Sequence, residues 1–436
     1  MTVKLLLDRK REGGELSPDD IRALIDAYTR GEVPDYQMAA FAMAVCCKGM
    51  SAVETHALTD AMQHSGACLS WPGLSADKHS TGGIGDKLSL VIQPLAASCG
   101  ISVPSLAGRG LGLTGGTVDK LESIPGYNAG LSLEDFKRVV AECGVSIAAQ
   151  TAEIAPADKK LYALRDVTGT VPSIPLIVGS ILSKKLAEGA GTLVFDVKCG
   201  GGAFMKTRTD ACALARALVD GAKAAGRKAA ALVTAMDEPL GWAVGNALEI
   251  EEAIQVLRGG VCGALGDRAL PCDVVELSVE LAALMVSLAK GVELDAARAE
   301  CRANLANGAA YGRFAEMVKL HGGDLDAFAS RSRGERRVVV APRSGYVAKV
   351  GAEGIAQAAF DLGAGRAKAG DAIDFAAGVV LSVARGDRVE TGQPIAEVVA
   401  AEHPEKLSQA EELVRDAIAL TDEPPEMYPL VLERMQ

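Results

Sequence analysis

The chain has 436 residues, nearly half of them hydrophobic and fewer than a quarter charged, which is too much material for one ordinary core and predicts two or three globular domains. A net charge of -11 excludes the basic footprint of a nucleic-acid binder, so any anionic ligand must be held by a local group of cations. No apolar run approaches the roughly 18 residues of a membrane span, and the run inside MTVKLLLDRKREGGE is too short for a secretion signal. A cytoplasmic protein with neither membrane nor nucleic-acid partners is therefore expected.

Taken in chain order, the first 65 residues read as helices. Ser17-Pro18-Asp19-Asp20 supplies a cap, a proline in the first turn and acids that match the helix dipole. Ser51 to Glu54 has capping-box spacing. From Ser75 short apolar runs alternate with helical segments across glycine loops: a helix at Leu88–Cys99, a strand at Ser102–Leu106, a strand at Leu193–Val197, a helix at Asp210–Ala225 and a strand at Ala229–Thr234. That alternation predicts an α/β domain. Lys160 to Leu186 reads helical again, so the helical domain is expected to be discontinuous. Arg331 to Arg337 reads as a linker, followed by short glycine-punctuated strands and a helix at Glu405–Leu420. The tail has the β-rich texture of a biotin or lipoyl carrier, yet no lysine stands at a tight hairpin, and it reads as a structural cap.

The predicted architecture is an α/β multidomain chain with a small all-helical domain, a central α/β domain with a mixed sheet and a C-terminal α+β domain. The expected boundaries are 1–70 and 160–190 for the two helical parts, 71–159 and 191–330 for the two α/β parts, and 331–436 for the C-terminal domain. The ten cysteines form no CxxC pair and no zinc spacing, which predicts reduced thiols acting as small hydrophobes, and no metal site is expected.

Three segments carry chemistry. In Lys78-His79-Ser80-Thr81-Gly82-Gly83-Ile84-Gly85-Asp86-Lys87-Leu88-Ser89 the glycines let the backbone turn and present N–H groups to an oxyanion, and the following helix offers its positive end. Gly108 to Glu122 repeats the string Thr-Gly-Gly-x-x-Asp-Lys-Leu, present at Thr81–Leu88 and Thr114–Leu121. Two similar loops converging on one phosphate is the functional reading; two independent turns is the bland one. In the third segment, Tyr162 to Val171 and Ser180 to Lys185, Ser180 and Lys184 share one helix face with Arg165 nearby. Such groups can donate to a pyrimidine ring, although solvated helix charges are the default reading.

These segments, in this order, resemble the thymidine and pyrimidine-nucleoside phosphorylase family. Asp196-Val197-Lys198, Gly202-Ala203-Phe204-Met205 and Pro239-Leu240-Gly241 with Gly245 to Glu249 extend the likeness over essentially the whole chain. The resemblance implies phosphorolysis of a pyrimidine nucleoside, most simply thymidine or deoxyuridine with phosphate giving base and 2-deoxy-α-D-ribose 1-phosphate. It implies phosphate on Lys78, Ser80, Gly82, Gly83, Ser89 and Thr117, and the pyrimidine on His79, Tyr162, Arg165, Ser180 and Lys184. His79, Arg165 and Lys184 are the implied catalytic groups, His79 as general acid or hydrogen-bond donor to a base carbonyl. A homodimer is implied too, with Tyr36–Cys47 as one candidate face. No cofactor is implied, since phosphate is a substrate.

The chain departs from the family at Ala107 (serine elsewhere), Leu113 (histidine elsewhere) and Ser105 (methionine or lysine elsewhere). Lys87 stands where some members have a threonine beside a monovalent cation, and its ammonium is expected to replace that ion. The alternatives are a broad phosphorylase that takes uridine, an anthranilate-type phosphoribosyltransferase with Asp237-Glu238 as its tempting magnesium pair, and a weakened binding homologue.

Overall fold

The computed structural model describes residues 2–110, 113, 115–259, 264, 265, 268, 269, 272–368 and 370–436. Helices α1 (Val3–Arg11), α2 (Pro18–Thr29), α3 (Asp35–Lys48) and α4 (Ala52–Gln63) form an amino-terminal bundle. Ser17 accepts the Asp20 N–H, and Ser51 and Glu54 complete a reciprocal capping box, each cap worth about 1 kcal/mol. Glu54 has a second task. Its buried carboxylate takes the Lys10 ammonium at 2.7 and 2.8 Å and the Leu16 N–H at 2.9 Å, tying α1 to α4.

The chain then runs β1 (Ala76–Ser80), α5 (Leu88–Ser98), β2 (Val103–Ala107), α6 (Thr117–Glu122), α7 (Leu133–Cys143) and β3 (Val145–Ala149). Next come α8 (Pro156–Val167), α9 (Ile174–Glu188), β4 (Thr192–Cys199), α10 (Arg208–Ala224), β5 (Lys228–Ala235), β6 (Ala243–Val244) and α11 (Asn246–Gly259). A short hairpin, β7 (Ala264–Leu265) and β8 (Arg268–Ala269), precedes α12 (Cys272–Lys290), α13 (Leu294–Ala306), α14 (Ala309–Leu320) and α15 (Leu325–Ser330). The C-terminal part holds β9 (Glu335–Val340), β10 (Gly345–Val350), α16 (Ala352–Ala359), β11 (Gly378–Leu381), β12 (Arg388–Val389), β13 (Pro394–Ala400), α17 (Leu407–Ala417), β14 (Ile418–Thr421) and β15 (Val431–Met435). The expected helix to Leu420 thus stops at Ala417. Ile418 is extended, and the last residues pair with β10 instead.

The main sheet has the order β1-β4-β5-β15, parallel except for β15, so it is mixed. Every residue of β4 is buried, as a central parallel strand with both faces covered requires. Its odd-numbered side chains Leu193, Phe195 and Val197 pack with α9 and α10, while Val194 faces the core that contains α5 and α12. By strand alternation Asp196 and Lys198 take the side of Val194. Strands β2 and β3 form a separate parallel pair. The C-terminal part is interleaved with the centre: β15 completes the main sheet, and β6 joins β11, β13 and β9.

Helix α8 and the start of α9 pack into the amino-terminal bundle through Ala157, Leu161 and Leu176. The chain crosses between bundle and sheet three times, and the crossings hydrogen-bond to one another: Ala67 N–H to Glu153 O and Leu69 N–H to Ala187 O, both 2.7 Å. Gly66 and Gly189 sit there because a Cβ would lie 2.2 Å from Glu153 O and 2.1 Å from Leu69 O. Among the described residues no helix is long and apolar enough to cross a membrane. Eight described cysteines are free, but Cys272 is disulfide-bonded, a pairing that a search for CxxC does not register.

Candidate active site

One cavity of about 820 Å³ opens between α8 and α9 on one side and the two glycine loops on the other. It is lined by Lys78, His79, Ser80, Gly82, Gly83, Ser89 and Thr117, and by Tyr162, Arg165, Ser180 and Lys184. All eleven residues singled out from the sequence therefore meet at one place. Leu111, Gly112 and Thr114 of the second loop lie outside the described residues.

The first loop leaves the C-terminal end of β1. Gly82 has φ +87°, which favours glycine, and a Cβ on Gly83 would stand 2.8 Å from Met236 Sδ, so that side chain would have to shift. The loop is tied to β4 by Thr81 N–H to Asp196 O (3.1 Å) and Lys198 N–H to Thr81 Oγ1 (2.9 Å). Asp196 lies 2.7 Å from the Lys198 ammonium and 3.4 Å from that of Lys78, and accepts the Thr234 hydroxyl at 2.7 Å. Lys78 Nζ is fully buried and has no hydrogen-bond partner, so its donors are free to meet an anion in the cavity it lines. Ser80 Oγ accepts from Gly82 N–H and donates to Asp86 at 2.5 Å. Burial opposes the Asp86 charge, yet Lys78 and Lys198 with the Ser80 hydrogen bond hold its carboxyl well below the usual range.

The second loop follows β2. A Cβ on Gly116 would meet Gly110 N at 2.2 Å, which closes the loop on itself. Asp119 accepts Gly110 N–H at 2.6 Å and pairs with Arg109 at 3.3 Å and with Arg366 of the C-terminal part at 2.7 Å. The repeated Asp-Lys of the two loops has a shared logic. Asp86 and Asp119 each accept a backbone N–H of their own loop. Lys87 and Lys120, both buried, reach Glu252 at 2.5 Å and Glu249 at 2.6 Å, three residues apart on α11. One helix thus anchors both loops.

On the other wall Lys184 Nζ donates to Asp158 at 2.8 Å and to Ser180 Oγ at 3.2 Å. The Tyr162 ring lies 5.7 Å from both the Lys184 and Arg165 charges. Arg165 is almost fully buried and gives three N–H groups to the carbonyls of Thr170, Leu176 and Val171. It clamps the turn between α8 and α9, and two of its five N–H groups are left for a ligand. Burial depresses its pKa, opposed by Asp158. His79 is held well below its ordinary pKa by burial and then by the charges of Lys185, Lys184 and Lys78. Both causes favour the neutral imidazole, which is suited to donating a hydrogen bond rather than delivering a proton.

Of the departures, Ala107 and Ser105 line the cavity, and Ser105 Oγ accepts the buried Gln93 amide at 2.8 Å. Sequence reasoning gave no role to Asp158, Asp196, Lys198 and Asp86. Asp86 stood in the repeated string and Asp196-Val197-Lys198 in a matching motif, whereas Asp158 shows no local signal. Asp237-Glu238 is spent on structure: Asp237 accepts Gly201 N–H at 2.9 Å and Glu238 accepts Val350 N–H at 3.2 Å.

The chain matches the a/b domain of a glycosyl transferase family over residues 73–311, the helical bundle domain of the same family over 4–66, and the pyrimidine nucleoside phosphorylase C-terminal domain over 346–421. It is 44% identical to a thymidine phosphorylase of Agrobacterium fabrum, covering 99% of this chain and 98% of the relative. It is 41% identical to a pyrimidine-nucleoside phosphorylase of Geobacillus stearothermophilus, covering 99% of each. An anthranilate phosphoribosyltransferase of Thermus thermophilus superposes with a TM-score of 0.57 at 19% identity, over 72% of this chain and 98% of that one, a likeness of fold alone. The chain belongs to the glycosyl transferase family.

Proposed function

We propose that this member of the glycosyl transferase family catalyses the reversible phosphorolysis of pyrimidine nucleosides, with thymidine and deoxyuridine as preferred substrates. The observation that carries the reading is one cavity lined both by the buried Lys78 ammonium, ion-paired to Asp196 but without a hydrogen-bond partner, and by the Arg165, Ser180 and Lys184 donors. Phosphate rests on the first loop, between Lys78, Ser80 and Ser89 with the Gly82 and Gly83 backbone, and Thr117 reaches it from the second loop. A phosphate oxygen forms the bond to C1′ while the glycosidic electron pair leaves with the base nitrogen. Arg165 and Lys184 stabilise the charge that develops on the base, and neutral His79 donates its N–H to a base carbonyl. Most of the acceleration comes from holding the two reactants in line. Ser80 must release Asp86 to donate to phosphate.

Lys87 takes the place of a monovalent cation in this reading. Its ammonium donates to Leu240 O at 2.9 Å, Ala243 O at 2.7 Å and Glu252 at 2.5 Å, a cage of oxygens whose centre is already filled by charge. The residues present thus do not fit a further ion there, and no step runs through one. A homodimer is part of the proposal, supported by Tyr36 and Met43 exposed on α3 and Leu5 exposed on α1. A cytoplasmic location is also part of the proposal: eight described thiols are free, with the Cys272 disulfide the exception.

The test is a substrate panel of thymidine, deoxyuridine and uridine with phosphate varied, reading free base and pentose phosphate by chromatography. Phosphate-dependent release of thymine is expected. No base release from any nucleoside sinks the reading, and product from phosphoribosyl diphosphate with a free base favours the transferase alternative. Uridine turned over far more efficiently than thymidine overturns the deoxy preference alone.

A further inference from the structure

Strands β1 and β2 begin side by side and then part. Ala76 N–H bonds Ser102 O and Ser102 N–H bonds Leu74 O, both 2.9 Å, and one bridge joins Ser75 to Ser102. Beyond it the two strands share no ladder, and β2 belongs to a different sheet. The cavity floor lies between their C-terminal ends, with His79 and Ser80 on one side and Ser105 and Ala107 on the other. Something other than a ladder must set the distance between the two glycine loops that these strands launch.

Side chains of α9 occupy that gap. Glu188 accepts the Leu106 N–H at 2.9 Å, and the Lys185 ammonium donates to Leu106 O at 3.0 Å. Both backbone groups of one β2 residue, those that a neighbouring strand would bond, are taken by two side chains one helical turn apart. Lys185 also pairs with Asp77 of β1 at 2.5 Å and with Glu188 at 2.9 Å, and all three side chains are buried. The clip therefore spans β1, β2 and α9. It stands where Leu69 and Trp71 bond the α9 end, through Leu69 N–H to Ala187 O and Trp71 Nε1–H to Glu188 O, both 2.7 Å. One turn earlier, α9 presents Ser180 and Lys184 to the cavity.

We propose that Lys185 and Glu188 are positioning residues which clip the Leu106 peptide to α9 and so fix the second glycine loop against the first at the spacing one phosphate needs. Lys185 borders the cavity, but its three donors are committed to Asp77, Glu188 and Leu106 O, so both residues act through position. This rests on the reading of function above. The electrostatics agree: burial, reinforced by Asp77, pushes the Glu188 carboxyl well above its usual range, and the acids keep Lys185 charged against burial. One Glu188 oxygen accepts from both the Leu106 N–H and the Lys185 ammonium, a part the glutamine carbonyl can take.

The experiment compares Glu188→Ala and Glu188→Gln with the wild type, with folding checked by circular dichroism. Glu188→Ala is expected to raise KM for phosphate about tenfold or more, since misplacement by an ångström weakens a preorganised site on that scale. Its KM for nucleoside should stay within about twofold, because the Ser180 and Lys184 contacts do not pass through Leu106. Glu188→Gln should restore the phosphate KM. Equal losses for both substrates, or a glutamine variant as poor as alanine, overturn the proposal. If Glu188→Ala does not fold, amide exchange in the wild type decides: Leu106 must exchange as slowly as β4, and exchange at the rate of Gly108 overturns the clip. A wild type without phosphorolysis overturns the reading of function instead, and phosphate affinity by calorimetry then replaces KM.

Discussion

Replacing Lys87 by threonine removes a fully buried ammonium from two carbonyls and a carboxylate. Glu252 stays in place, because it also accepts the Trp242 and Ala243 N–H groups at 2.8 and 2.9 Å. Stripping one partner from a buried ion pair costs about 3–5 kcal/mol, since the remaining charge is left uncompensated. Two routes can relieve that charge. Burial already lifts the Glu252 pKa despite Lys87, and losing Lys87 lifts it further. A carboxyl whose folded pKa is raised is most stable protonated, so the deficit is smallest in acid and grows as pH rises through the folded value. The second route is an ion: the threonine leaves room for potassium, and binding at a hundred times its Kd returns about 2.7 kcal/mol. The assay is thermal unfolding of wild type and Lys87→Thr in potassium chloride and in choline chloride at equal ionic strength. The wild-type midpoint and activity should be alike in both salts, and the variant should fall by several degrees in choline and recover in potassium. A wild type that needs added potassium, or a variant equally stable in choline, refutes the reasoning.

Three further outcomes are expected. Ala107→Ser puts a hydroxyl at the end of β2, where the cavity passes the phosphate loops; a hydrogen bond to a charged group should lower KM for phosphate about tenfold, and an unchanged or higher KM counts against that placement. Lys184→Met removes the donor to the departing base, so kcat should fall about a hundredfold or more with a smaller change in nucleoside KM, whereas kcat within twofold of wild type removes Lys184 from catalysis. Because the His79 pKa is depressed by burial and the neighbouring lysines, kcat/KM should show no acid limb from His79 near 6.5. By the same sign, stability is lost as pH falls below that unfolded value and the unfolded chain takes the proton first. His79→Gln should reduce that loss; an acid limb near 6.5 that vanishes in this variant would mean that the His79 pKa is not depressed, and activity lost as pH rises through 6.5 would mean that His79 works charged.

What was legible in the sequence is what depends on neighbours along the chain. Caps such as Ser17 and Ser51 act over three residues, the glycine loops present their own backbone, and Ser180 and Lys184 meet because a helix turns every 3.6 residues. The repeated Thr-Gly-Gly-x-x-Asp-Lys-Leu was legible as a repeat, but its lysines were not legible as anchors. Their partners Glu252 and Glu249 lie more than a hundred residues on, on a helix that shows no sign of the loops it holds. Arg165 is the reverse case: its position was readable, but three of its donors are committed to a turn only the fold creates.

The clip at Leu106 marks the limit of such reading. Lys185 follows Lys184 directly, and by sequence the two are interchangeable charges on one helix. A step of one residue turns the side chain through about 100°, which sends Lys184 to the cavity and its Asp158 partner and Lys185 into the gap between two strands. Only the divergence of β1 from β2 makes that gap, and that divergence follows from β2 pairing with β3 rather than with the main sheet. A buried lysine on a peptide carbonyl is justified there because the carbonyl has lost its strand partner and would otherwise stay unsatisfied. The base-side lysine and the loop-side lysine then serve one reaction from positions about 100° apart on α9, both bordering the cavity. The Glu188 pair of variants separates them by changing one face and leaving the other intact.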